Sequence, residues 1–201
     1  MKLYFTPGAC SLSPHIVLSE LGLPYTLEQV DLKTKLTASG EDFNAINAKS
    51  SVPVLELDNC ERLTESSAII QYLADQKPET GLAPANGTWE RVRLQEWLNF
   101  ISTELHKTFG PILMPDAGEQ ASEFYLKKLK DKLGFVADQL VGKAYLMGDQ
   151  FSIADAYLFT VLNWHKWINL DLSAWPTLAD YQQRVAARPR VQAALQAEGL
   201  L

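Results

Sequence analysis

Apolar positions change their period along this chain, and the changes divide it into segments. Leu3 to Phe5 is a short apolar run that reads as a strand. From Leu12 onward Ile16, Val17 and Leu21 recur at the spacing of one helix face, so Ser11 to Leu21 is predicted as a helix that Gly22 closes. Tyr25 to Leu32 returns to alternation, with Tyr25, Leu27 and Gln29 facing one way and Thr26, Glu28 and Val30 the other, which predicts a second strand. Lys33 to Asn47 is polar and weakly patterned and reads as irregular helix and loop. Val54 to Leu57 and Arg62 to Thr64 then flank Asp58-Asn59-Cys60-Glu61, an antiparallel hairpin with a tight turn. Ala68, Ile69, Tyr72 and Leu73 mark a helix running from Glu65 to Asp75.

Strand, helix and strand in quick succession predict a parallel pair with a right-handed crossover. Followed by the hairpin and helix, this is the βαβ-ββα order of a thioredoxin-like α/β domain, here residues 1–76. Pro78, Gly81, Pro84 and Gly87 fall without periodicity in a linker over residues 77–87. Residues 88–201 are then an all-helical bundle. Trp89, Val92, Trp97, Leu98, Ile101 and Leu105 mark one long helix, and Tyr125, Leu129, Leu133, Val136 and Leu140 a second. Ser152 to Trp167 is apolar nearly all round and is predicted as the buried centre of the bundle. Its opening Ser152-Ile153-Ala154-Asp155 has the form of a capping box with Asp in place of Glu, and capping accounts for Asp155 better than catalysis does. Leu178, Tyr181 and Val185 form a further helix that starts near Pro176 and that Arg188-Pro189 ends.

Composition narrows the class. With 201 residues, 47% of them hydrophobic and only two cysteines, the chain has an adequate core without disulfides, which argues for a reducing compartment and the cytoplasm. A net charge of -6, with lysines 127, 128, 130 and 132 spread over a helix face, argues against nucleic acid. No long apolar run suggests a membrane span or a secretion signal.

The candidate chemistry begins at Pro7-Gly8-Ala9-Cys10-Ser11. A helix starting at Ser11 would put Cys10 at an open helix N-terminus, where N–H groups and the macrodipole favour a thiolate. Cys10-Ser11-Leu12-Ser13 keeps the Cys-x-x-Cys spacing of thiol-redox sites with serine as the second member, which points to an external thiol. A small buried cysteine without reactivity is the plain alternative. Cys60 sits in the hairpin turn and is read as incidental. Ser51-Val52-Pro53 falls where a cis proline would leave the Val52 N–H and C=O free to pair with an extended peptide; a strand-start proline is the other reading. Glu65 and Ser66 offer a carboxylate to an ammonium, and a hydroxyl with helix-terminal N–H groups to a carboxylate; ordinary capping competes. Asn99, Thr103 and His106, flanked by Glu104 and Lys107, form a polar row on the long helix.

Together these pieces resemble the bacterial beta-class glutathione S-transferases over nearly the whole chain. The resemblance rests on Pro7 to Ser11, Val52-Pro53, Thr64-Glu65-Ser66, Glu96 to Asn99 with Thr103 to Lys107, and Phe151 to Leu158. It implies a homodimer with glutathione as co-substrate and no metal. Lys35 would lie at the glycine carboxylate, Val52 before a cis Pro53 at the cysteinyl backbone, and Glu65 and Ser66 at the γ-glutamyl end, helped by Glu104 of the neighbouring subunit. Cys10, Ser11 and His106 would be catalytic, with Asn99 and Lys107 closing the pocket. That pocket would include Phe109, Pro111, Ile112, Met114, Trp164 and Trp167 and take small hydrophobic electrophiles. Two departures stand out: Phe5 follows Tyr4 where the family often has tyrosine, and Asn47-Ala48-Lys49-Ser50 replaces Asn-Pro-x-Gly. The implied activity is glutathione conjugation in detoxification. The alternatives are a glutathione-dependent thiol-disulfide reductase, peroxidase or reductive dehalogenase using Cys10, and a non-catalytic dimeric interaction protein.

Overall fold

A computed structural model describes residues 1–114 and 118–201. The chain divides into two compact units, Met1–Thr80 together with Arg188–Leu201, and Gly81–Ala187.

The first unit is built on a five-stranded sheet of β1 (Lys2–Phe5), β2 (Thr26–Asp31), β3 (Leu36–Thr37), β4 (Val54–Glu56) and β5 (Arg62–Thr64), in the order β3-β2-β1-β4-β5. β1 and β2 are parallel, with Leu3 opposite Leu27, and joined by helix α1 (Leu12–Leu21). The other pairs are antiparallel, Leu3 facing Leu55 across β1 and β4. Central β1 is buried along Leu3, Tyr4 and Phe5, which explains its unbroken apolar run. On one face Tyr4 packs with Val30, Phe43, Val52 and Val54. α1 lies against α3 (Ser66–Asp75) and against the last helix, α9 (Pro189–Ala197). Gly22 ends α1 at φ 58°, a left-handed position that costs glycine nothing.

The stretch read as irregular helix and loop holds a short helix and also a strand that the sequence reading does not include. The weakly patterned stretch after β2 holds the two-residue edge strand β3 and the single turn α2 (Phe43–Ile46), both too short to carry a period. The expectation of one helical domain through residue 201 also differs from the structure. Pro189 stands at the first turn of α9, whose Val191, Ala194 and Leu195 are buried, and these residues belong to the first unit.

In the second unit α4 (Trp89–Phe100) continues through a π-helical stretch, Ile101–His106, into α5 (Lys107–Leu113). α6 (Glu119–Leu140) packs on α5 and α8 (Pro176–Ala186). All ten residues of α7 (Ile153–Leu162) are buried, as its all-round apolar sequence predicts. The Asp155 carboxylate accepts from the Ser152 N–H and hydroxyl, both at 2.8 Å, so the capping box is formed. Among the described residues no helix is long and apolar enough to cross a membrane.

Candidate active site

The loop leaving β1 is tied down by Ser11. Its hydroxyl accepts from the Thr6 N–H at 3.1 Å and donates to the Thr6 carbonyl at 3.2 Å, and the residue is wholly buried. A hydroxyl so committed shapes the loop instead of facing a ligand. The turns Ala9 N–H to Thr6 C=O and Leu12 N–H to Ala9 C=O carry the chain into α1. α1 starts at Leu12, so Cys10 precedes the first turn by two residues instead of sitting at its cap.

The Cys10 thiol donates to the Val52 carbonyl at 3.2 Å. Burial pushes its pKa up to about 11, against the pull of Ser66 and of the Cys10 and Ser11 N–H groups. This reverses the expectation of a thiol lowered toward neutrality: desolvation of a thiolate outweighs the few donors aimed at it. The Val52-Pro53 bond is cis, as anticipated. Among the described residues the Val52 N–H has no acceptor, so Val52 presents a short peptide ledge beside Cys10.

The loop before Val52 is ordered by side chains. Asn47 donates to the Ser51 carbonyl at 2.7 Å and accepts from the Lys49 N–H at 3.1 Å, and Ser50, at φ 58°, donates its hydroxyl to Asn44 at 2.6 Å. The Lys35 ammonium donates to the Ser50 carbonyl at 3.0 Å, so the residue assigned to a glycine carboxylate also props this loop. Glu65 precedes α3 with φ 71°, an uncommon conformation for a side-chain-bearing residue. The buried Ser66 lies below Cys10, its hydroxyl 3.4 Å from the Cys10 carbonyl. Lys49, which sequence reasoning did not select, donates to the Glu65 carboxylate at 2.7 Å and to the Thr64 hydroxyl at 2.9 Å. The signal was present in Asn47-Ala48-Lys49-Ser50, but only its backbone consequence was read.

In the second unit the π-helical stretch breaks the expected polar row. Its wider turn leaves Asn99, Thr103 and Lys107 exposed, while His106 turns to the Tyr157 hydroxyl at 2.8 Å and packs edge-on against Trp164, ring centres 4.8 Å apart. Trp164 also meets Phe109 and stacks on half-exposed Trp167. Glu104 pairs with Lys132 at 3.0 Å and lies 3.9 Å from Lys128, and the Lys132 bond holds its carboxyl below the usual range. The structure thus groups Cys10, Ser11, Lys35, Val52, Pro53, Glu65 and Ser66 in the first unit, and Asn99, Glu104, His106 and Lys107 in the second.

Comparison with known proteins is consistent with this arrangement. The glutathione S-transferase N-terminal domain matches residues 8–76, and the C-terminal domain residues 100–189. The chain is 47% identical over 201 residues to glutathione S-transferase GstA of Escherichia coli O157:H7, covering 100% of both. Among solved structures, a sphingomonad glutathione S-transferase complexed with glutathione superposes with a TM-score of 0.96 at 43% identity, covering 100% of each chain. The bacterial beta class glutathione S-transferase of Sphingomonas chungbukensis gives 0.97 at 45% identity, again over 100% of each. Two domain matches in order and this identity across the full length establish that the chain belongs to the glutathione S-transferase family and, within it, to the bacterial beta class.

Proposed function

We propose that the protein is a glutathione transferase that conjugates the glutathione thiolate to small hydrophobic electrophiles. The observation that carries this reading is the protonated Cys10 thiol, hydrogen-bonded to the carbonyl of the Val52 ledge. A tripeptide backbone pairing with Val52 takes over that carbonyl, and the displaced S–H becomes a donor for the ligand's sulfur. Each unit by which such a donor lowers the ligand thiol's pKa represents about 1.4 kcal/mol of preferential thiolate binding. The thiolate's electron pair then forms a bond to the electrophilic carbon, and the leaving group departs with the electrons of the broken bond.

The same geometry disfavours Cys10 as a covalent nucleophile. With its pKa near 11, roughly one thiol in ten thousand is ionised at pH 7, and thiolate supply limits exchange. Glu65 and the first turn of α3 suit the γ-glutamyl end, and Lys35 suits a carboxylate. Asn99, Glu104 and Lys107 are candidates for further contacts with glutathione. In the second unit, the aromatic series Tyr157, His106, Trp164 and Trp167 suits an apolar, flat electrophile. We further infer a cytoplasmic homodimer acting in detoxification. Family membership supports the dimer, and so does an aromatic cluster of Trp97, Phe100 and half-exposed Phe135 on α4 and α6.

The test compares wild type with Cys10→Ala for thioether formation from glutathione and a nitro-activated aryl chloride, with disulfide reduction assayed on the same samples. Conjugation is expected to fall about tenfold, the equivalent of one pKa unit, while wild-type disulfide reduction is slow. Conjugation unchanged with disulfide reduction abolished would transfer the reading to a Cys10 redox enzyme. Absence of glutathione binding in calorimetry would leave a non-catalytic protein.

A further inference from the structure

Lys49 occupies the place where a ligand's ammonium is expected. Its Nζ lies 2.7 Å from a Glu65 carboxylate oxygen and 2.9 Å from the Thr64 hydroxyl. Both members of the ion pair are open to solvent, the side chains being 55% and 69% exposed. The backbone beneath Lys49 is held by Asn47, Asn44 and Lys35, so exchange at this site needs only the lysine side chain to turn. Glu65 is the residue that precedes α3, where the N–H groups of the first turn make an anion welcome and an unpaired cation unwelcome.

We propose that Lys49 is a specificity-determining residue, a stand-in ammonium that holds the Glu65 carboxylate until the γ-glutamyl ammonium of glutathione displaces it and that then pairs with the carboxylate on the same carbon. This rests on the reading of the site as a glutathione site and adds how it selects a zwitterion. One exposed ion pair is exchanged for two when the arriving head group carries both charges. A head group with an ammonium alone evicts Lys49 and leaves it unpaired beside the positive end of α3. Lys49 therefore penalises a bare cation relative to a zwitterion.

Calorimetric titration of wild type, Lys49→Met and Lys49→Arg with two peptides tests this. One is glutathione; the other is 4-aminobutyryl-cysteinylglycine, the same chain without the γ-glutamyl carboxylate. In Lys49→Met the preference for glutathione over this analogue is expected to fall about fivefold, the upper range of an exposed pair. The fall comes from tighter binding of the analogue, which no longer has to displace Lys49 from Glu65, with glutathione binding little changed, and Lys49→Arg restores the preference. Equal weakening of both peptides in Lys49→Met would reduce Lys49 to a prop for Glu65 and overturn the proposal, as would affinities unchanged for both. A wild type that binds neither peptide would overturn the glutathione reading itself, and this inference with it, by a pattern distinct from either.

Discussion

Cys10 lies two residues before the first turn of α1, and burial keeps the proton on its thiol. The sequence made the residue visible through Pro7-Gly8-Ala9-Cys10-Ser11, and the cis bond before Pro53 was expected from its position. The thiol's ionisation was not legible, because it depends on burial and on the Val52 carbonyl forty-two residues away. The place of the Ser11 hydroxyl is equally illegible in the sequence, since it closes a ring with Thr6. In a Cys60→Ser variant, which leaves a single thiol, alkylation of Cys10 by iodoacetamide should keep accelerating beyond pH 10. An ordinary cysteine would level off near pH 9. Because the folded pKa is raised, the unfolded chain binds fewer protons above about pH 9. The stability held by the protonated thiol is full below that value and is lost as pH rises through about 11. A labelling rate that levels off by about pH 9 as for an ordinary cysteine, read by mass spectrometry, would refute the raised value.

Period decides which elements could be read from the sequence. α7 was plain because apolar residues cover every side and Ser152 to Asp155 announce its start. From spacing alone, Asn99, Thr103 and His106 read as a polar row on a regular helix. The π-helical turn rotates His106 toward Tyr157 and Trp164, and local spacing alone does not signal such a turn. Asp155 shows what one cap holds together. Its buried carboxylate accepts from Ser152, from the Leu146 N–H at 2.9 Å and from the Tyr181 hydroxyl at 3.0 Å, so α7, the loop before it and α8 meet on one side chain. Replacing it by alanine strands the Ser152 and Leu146 N–H groups in the core. Asp155→Ala should cost about 3 kcal/mol, from the lost cap and the orphaned donors together. Asp155→Asn, which keeps the shape and part of the acceptor set, should cost less. Urea unfolding of both would test this, and a midpoint unmoved by Asp155→Ala would show that the cap is dispensable.

At the scale of the whole chain, the least legible feature is the return of the C-terminus to the first unit. Residues 188–201 follow helices α4 to α8 of the other unit, and nothing local in Arg188-Pro189 says where α9 packs. The tie is made by Glu198, a charged residue that is nevertheless buried. One carboxylate oxygen lies 2.8 Å from His15 of α1, and the other accepts from the Gly8 N–H at 2.9 Å; His15 in turn meets the Tyr25 hydroxyl at 3.1 Å. Arg188 adds a paired contact to Glu20, and Ser19 donates to the Arg190 carbonyl. The last helix is thereby connected to the loop that carries Cys10, and the position of that loop depends on residues 190 places further along the chain. Glu198→Ala removes the acceptor of the buried Gly8 N–H and the partner of the His15 ring, and each buried polar group so orphaned costs about 1–3 kcal/mol, so the first unit should be destabilised by about 3 kcal/mol. It should also loosen Gly8. Amide exchange distinguishes this tie from a general loss of packing: the Gly8 N–H should exchange much faster in Glu198→Ala, while the core amides of Leu3 and Leu55 lose protection only by the global amount. If Gly8 exchanged no faster than those core amides require, Glu198 would be a packing residue of α9 with no hold on the Cys10 loop.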